Sequence, residues 1–284
     1  MTRILGLIDG SAYAKSVCDH IAWIAGKTDV TVEILHVIGR RDLSSEPVNL
    51  SGNIGIGART ALLEELAELD AQKAKVAHAR GRLLLEEAKA HLQAMGVQNV
   101  ETKLRNGDLV DTVLEFEANA DIIVVGKRGE GADFAAGHLG SNLERVVRST
   151  HKAIVIASRA FKPVGKLLIA YDGGPMAIKT VDQVSRSPIL DGLGCKVVMA
   201  GADTPENRKK LDDAAAILQA AGYAPEINLV QGSADKVISE TVEKEGYDLL
   251  AMGAYSHSRL RNLFIGSTTT EMIRSCKVPV VLFR

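Results

Sequence analysis

The chain has 284 residues, 46% of them hydrophobic, 24% charged and 4% aromatic, with a formal net charge of −1. That length accommodates two domains of about 140 residues, each large enough to bury a core of its own. Near-neutral charge and few aromatic rings provide neither a basic surface nor stacking platforms, so no nucleic-acid or membrane partner is expected.

The chain opens on a short apolar run, 4–8, that ends at Asp9-Gly10-Ser11. Charge breaks the run too early for a signal peptide. A helical pattern follows over 12–25 and a strand pattern over 31–37. After Val37 comes a loop with Pro47, Gly52, Gly55 and Gly57, then a long helical stretch over about 58–95. Leu62, Leu69, Val76 and Leu83 recur there every seven residues, but the partner positions hold Lys73 and Arg80. A sustained coiled coil needs both positions apolar. The stretch is therefore expected to pack on its own domain, with a face available to a dimer partner. Strand patterns at 101–105, 122–125 and 153–157 alternate with helical ones at 109–118 and 142–149.

Lys162-Pro163 then interrupts two strand patterns, which sets the expected domains at 1–159 and 163–284, the first with a helical insertion at about 40–95. In the second, strands are expected at 167–171, 196–200, 226–230, 249–252 and 278–283. Helices are expected at 175–186, 206–221, 234–244 and 268–275. Apolar strands alternating with helices predict an α/β fold with parallel sheets covered on both faces. Cys18, Cys195 and Cys276 are scattered without a paired spacing, and no apolar run approaches the ~20 residues of a membrane span. Both facts predict a reducing, cytoplasmic setting.

The ending of each half is the same text written twice. Gly126-Lys-Arg-Gly129, a loop, Gly140-Ser141-Asn142 and Arg148-Ser149 match Gly253-Ala-Tyr-Ser256, a loop, Gly266-Ser267-Thr268 and Arg274-Ser275. A repeat of this length decides the architecture. Asp9 to Gly126 spans 117 positions and the matching Asp172 to Gly253 spans 81, so the first copy holds 36 more. Ser141–Glu144 and Thr268–Glu271 each fit a capping box, which predicts a helix immediately after each Gly-Ser pair. A strand ending in glycine, a loop and then Gly-Ser at a helix start present several backbone N–H groups at a positive helix end. That arrangement suits phosphate, although spacing alone does not separate it from an ordinary strand–loop–helix connection.

Both halves resemble domains of the universal stress protein family, whose nucleotide motif is Gly-x2-Gly-x9-Gly-Ser/Thr after the fourth strand. The first-strand aspartate followed by small residues is present as Asp9-Gly10-Ser11 and Asp172-Gly173-Gly174, and the closing pattern as Cys276-Lys-Val-Pro279-Val-Val-Leu. The resemblance implies two tandem five-stranded parallel-sheet sandwiches of Rossmann-like, adenine nucleotide alpha hydrolase-like type. They would pair as a pseudo-dimer through strands 153–157 and 278–283. It also implies ATP, with or without magnesium, as ligand. By analogy with the family's ATP-binding branch, Ala170, Asp172 and Ala200 would lie at the nucleoside, and Met252 and Gly253 beside the ribose. Ser256, Gly266, Ser267 and Thr268 would face the phosphates. The corresponding set in the first half is Asp9, Val37, Gly126, Gly129, Gly140, Ser141 and Asn142. There ten residues rather than nine precede Gly140, and the loop carries Glu130 and Asp133. Two acids disfavour a polyanion unless a metal bridges them, so the second half is the expected site.

Gly126-Lys127-Arg128 is not a P-loop, and no G-x-G-x-x-G follows the first strand. The histidines show no paired ligand spacing, His36 reads as a satisfied core residue, and no catalytic group or metal site is expected. The expected function is a cytoplasmic stress-response protein whose occupancy by an adenine nucleotide orders residues 255–265 and alters what it contacts. The alternatives are a nucleotide-free scaffold and a slow ATP hydrolase.

Overall fold

A computed structural model of the chain describes residues 1–43, 56–129, 141–254 and 266–284. The first half runs β1 (Thr2–Leu7), α1 (Ala14–Ala25), β2 (Val30–Ile38), α2 (Arg40–Leu43), α3 (Ile56–Ala94) and β3 (Val100–Asn106). It continues with α4 (Leu109–Glu117), β4 (Ile122–Gly126), α5 (Ser141–Ser149) and β5 (Ala153–Ala157). The second half runs β6 (Lys166–Ala170), α6 (Pro175–Ser185), β7 (Gly194–Ala200), α7 (Pro205–Ala220) and β8 (Glu226–Val230). It closes with α8 (Ala234–Glu245), β9 (Leu249–Gly253), α9 (Ser267–Ser275) and β10 (Val280–Phe283).

The strands among the described residues join one ten-stranded sheet in the order β3-β2-β1-β4-β5-β10-β9-β6-β7-β8. Pairing is parallel within each half, as expected for strands linked by crossover helices. At the seam β5 and β10 run antiparallel, with Val280, Val281 and Leu282 opposite Ile156, Val155 and Ile154. The expected pairing of the two final strands is therefore present, and it makes one continuous sheet of the two sets.

Successive residues of a strand point to opposite faces. Ile4 enters one buried cluster and Leu5 the other, and each cluster draws side chains from both halves. β10 begins at Val280 rather than at residue 278, because Pro279 has no N–H to give to the ladder. At the seam two cations reach across to the helix ends of the opposite half. Lys127 Nζ donates to the Cys276 carbonyl at the end of α9, and Arg284 Nη1 donates to the Arg148 and Thr150 carbonyls at the end of α5. Thr150 and Cys276 both follow an Arg-Ser pair, so the two contacts meet the same position of the repeat. Positive charge at a helix C-terminus is favourable.

The surplus of the first half is mainly α3, packed on β2 and β3 through the buried Gly81, Leu85, Ala88 and Leu92. A Cβ on Gly81 would lie 2.8 Å from Leu104 Cδ1 and 2.9 Å from His36 Cδ2, so glycine permits the close approach. The His91–Asp19 contact at 2.6 Å ties the end of α3 to α1.

Asp108 caps α4, its Oδ1 accepting from the Val110 N–H at 2.8 Å and the Asp111 N–H at 3.2 Å. Its Oδ2 accepts from Arg145 of α5 at 2.9 Å, and that guanidinium holds the carboxyl below its ordinary value. Asp108→Ala is expected to cost about 1 kcal/mol at pH 7, read from urea unfolding. A depressed folded-state pKa stabilises above the unfolded value of 3.8, and the gain is lost as pH falls through the folded value. The gap between Asp108→Ala and the parent should therefore narrow below pH 4.

Candidate functional site

In each half the strand order turns back beside the first strand, so β1 lies next to β4, and β6 next to β9. Crossovers leave in opposite directions there, opening a crevice outside the carboxyl ends of the strands where α/β sheets bind ligands.

In the second half Ala170 ends β6, Ala200 ends β7, and Met252 and Gly253 end β9, on three adjacent strands. Asp172 follows β6 and is exposed; its Oδ1 accepts from the Gly174 N–H at 2.8 Å, a tight turn that leads into Pro175 at the start of α6. Gly253 lies against α6, and a Cβ there would sit 3.0 Å from Met176 Cβ and 3.3 Å from its carbonyl carbon. The Met252 side chain is buried in the core, so only its main chain can meet a ligand.

α9 starts at the same edge, with Thr269 Oγ1 donating to the Gly253 carbonyl at 3.4 Å. Gly266 is the N-cap, at φ −56° and ψ 144°, with no side-chain cap and no acid in the first turn. The Ser267 side chain is exposed and Thr268 is half-buried. Among the described residues, this helix start has no side-chain cap and no acid to offset its positive dipole end. The capping box expected at Thr268–Glu271 does not form. Gly266 takes the N-cap one residue pair earlier, so Thr268 is already inside the first turn, and Glu271 pairs with Arg274 at 2.5 Å.

The first half assembles the same elements differently. Asp9 Oδ1 accepts from the Ser11 N–H at 3.0 Å, and its Oδ2 lies 2.9 Å from where a Gly129 Cβ would stand. Ser11 Oγ meets the Arg128 carbonyl at 3.4 Å. The Gly126–Gly129 segment thus folds back onto Asp9, and Lys127 is directed to α9 of the other half. Val37 is half-buried near the end of β2, and Asn142 is exposed in the first turn of α5, which starts at Ser141 and carries Glu144. An acid there opposes an anion at this helix end. Gly140, Ser256, Glu130, Asp133 and residues 255–265 lie outside the described residues.

Three contributors escaped the motif reading. Tyr13 covers Gly126, where a Cβ would sit 2.7 Å from Tyr13 Cβ, and Met176 covers Gly253. Each stands four residues after its aspartate, so laying the two copies over each other from Asp9 and Asp172 was the available signal. The third, Lys210, lies against Gly173 beside Asp172 and pairs with Glu206 at 2.6 Å. It comes from α7, and no local pattern points to it.

His36 and the three cysteines offer no activated group. His36 is half-buried rather than in the core, and its Nδ1 bonds to the Ile8 carbonyl at 2.9 Å. Burial pushes the Cys18 and Cys195 thiols up to about 12 and raises Cys276 as well, which disfavours a reactive thiolate. No helix among the described residues is long and apolar enough to cross a membrane.

Comparison with known proteins gives one consistent result. The model of the universal stress protein family matches residues 1–158 and 196–284. The chain is 38% identical over 287 positions to the universal stress protein Slr1230 of Synechocystis sp., covering 100% of both chains. A universal stress protein from Archaeoglobus fulgidus superposes with a TM-score of 0.72 at 18% identity, covering 99% of this chain and 98% of its own. Protein PA1789 of Pseudomonas aeruginosa, described as functionally unknown, gives 0.64 at 18% identity, covering 100% and 92%. At such identities the structural likeness speaks for the fold.

Proposed function

The chain belongs to the universal stress protein family, and from that premise we propose that it is a cytoplasmic stress-response protein binding ATP or a related adenine nucleotide in its second half. The observation that carries this reading is the start of α9. A glycine N-cap, no acid in the first turn and an exposed Ser267 stand at the strand-end crevice beside Gly253. These features fit a polyphosphate, because backbone N–H groups and a positive dipole end need small residues to let it approach. Ser256, Gly266, Ser267 and Thr268 would hold the phosphates, with magnesium where the nucleotide brings it. Ala170, Asp172 and Ala200 would flank the nucleoside, and the main chain of Met252 and Gly253 the ribose. Residues 255–265 would order around the ligand, so occupancy changes the surface offered to a partner. Such a protein acts by binding rather than by turnover.

For the first half we propose a scaffold role. Asp9 against Gly129, Lys127 engaged across the seam and Glu144 in the first turn of α5 all weigh against a phosphate there.

Denaturing the purified protein and identifying released small molecules by mass spectrometry tests the reading at once. Adenine nucleotide is the expected product. A preparation that releases none, and that takes up none when ATP is added, would leave both halves as scaffolds.

A further inference from the structure

We propose that α3 is a dimerisation element, pairing antiparallel with α3 of a second copy of this chain through its outward stripe. Gly81, Leu85, Ala88 and Leu92 bind the helix to its own sheet, and the opposite side of the helix stays in solvent. On that side Leu69, Val76 and Leu83 are 47%, 67% and 55% exposed, and Leu62 continues the same row. A strict seven-residue spacing drifts slowly around a straight helix, along the left-handed path that a supercoiled partner helix follows. Isolated exposed apolar residues are ordinary, and what sets these apart is their regular alignment along one long helix.

Charge identifies the occupant. Within the row the exposed charges before its middle are Glu64, Glu65 and Glu68 and those after it are Lys73, Lys75, Arg80 and Arg82, with Glu86 and Glu87 beyond its end. A second copy laid antiparallel about a two-fold axis near residues 72 and 73 sets the acidic end of each helix against the basic end of the other. The same operation brings Leu69 of one chain to Val76 of the other, and Leu62 to Leu83. One patch thus complements itself, as an isologous interface requires. A parallel pair would set like charges together. Leu69 and Val76 also line a cleft of about 490 Å³ with Gln72, Lys73 and Arg80 of α3 and His36 and Ile38 of β2, so the row borders a concave surface. Polar residues at the remaining seam positions limit the contact to a short stretch centred on this point.

Sedimentation and light scattering of the full chain, across a range of concentrations, test the proposal. The expected species has twice the 30.3 kDa of one chain. Leu69→Glu with Val76→Glu should weaken association at least about 100-fold, since each 1.4 kcal/mol is tenfold and two desolvated charges cost several kcal/mol. Both positions are exposed in the monomer, so circular dichroism and nucleotide content should be unchanged. Orientation is read from disulfide trapping, where the native cysteines are buried and do not compete. Gln72→Cys, near the axis, should cross-link to its own copy. Leu83→Cys should not, because antiparallel pairing separates the two copies of residue 83 by about 30 Å along the helices. A monomer at every concentration, a dimer that survives the double substitution, or trapping by Leu83→Cys in place of Gln72→Cys would overturn the proposal.

Discussion

Val281→Glu should cost about 3–5 kcal/mol, the penalty typical of an uncompensated buried charge, and much of the stability of an ordinary domain. Val281 is 6% exposed and lies opposite Val155 where the two halves join edge to edge. Each final strand is a short apolar edge, and each covers the other, so opening the seam exposes two templates for aggregation. The expected observations are a lower melting temperature and light scattering that rises on mild heating. Val281→Ala, which leaves only a small void, should lose much less. A Val281→Glu protein that melts with the parent would show that the seam contributes little to stability.

Gly266→Asp should separate binding from folding. Aspartate suits the extended φ and ψ of this N-cap, and its charge favours a helix start, so α9 should be as stable as before or more so. The same carboxylate would stand where phosphate is proposed to lie. Like-charge contact costs several kcal/mol and each 1.4 kcal/mol is tenfold, so ATP affinity should fall at least about 100-fold. Calorimetry and a thermal melt on one preparation read the two effects. Unchanged affinity in a chain that binds ATP would move the phosphates away from α9.

Much of the fold was legible in the sequence because strands buried on both faces are written as apolar runs. The run at 153–157 matches β5 to the residue, and the run at 226–230 matches β8, although that edge strand has no buried residue. The departures have local causes. Pro279 delays β10, and Gly266 takes over the N-cap that the Thr268–Glu271 pattern suggested for α9. The four-residue α2 is too short to show any period. The repeat singled out Asp172, Gly253 and Gly266, while the strand order that opens a crevice beside them is seen only in the structure. What local reading missed is long-range. Lys127 meets Cys276 across 149 positions, and Arg284 meets Thr150 across 134. No spacing encodes those contacts, since they exist only once β5 and β10 have paired. Tyr13 and Met176 are the intermediate case, found by comparing the copies rather than by reading either one.

The most direct test is calorimetric titration of ATP into the full chain after bound nucleotide has been removed. Saturable binding at a single site per chain, lost in Gly266→Asp and kept when residues of the first glycine loop are changed, is the expected result. Two equivalent sites, or binding that persists in Gly266→Asp and disappears when Gly129 is replaced, would contradict the assignment of the nucleotide to the second half.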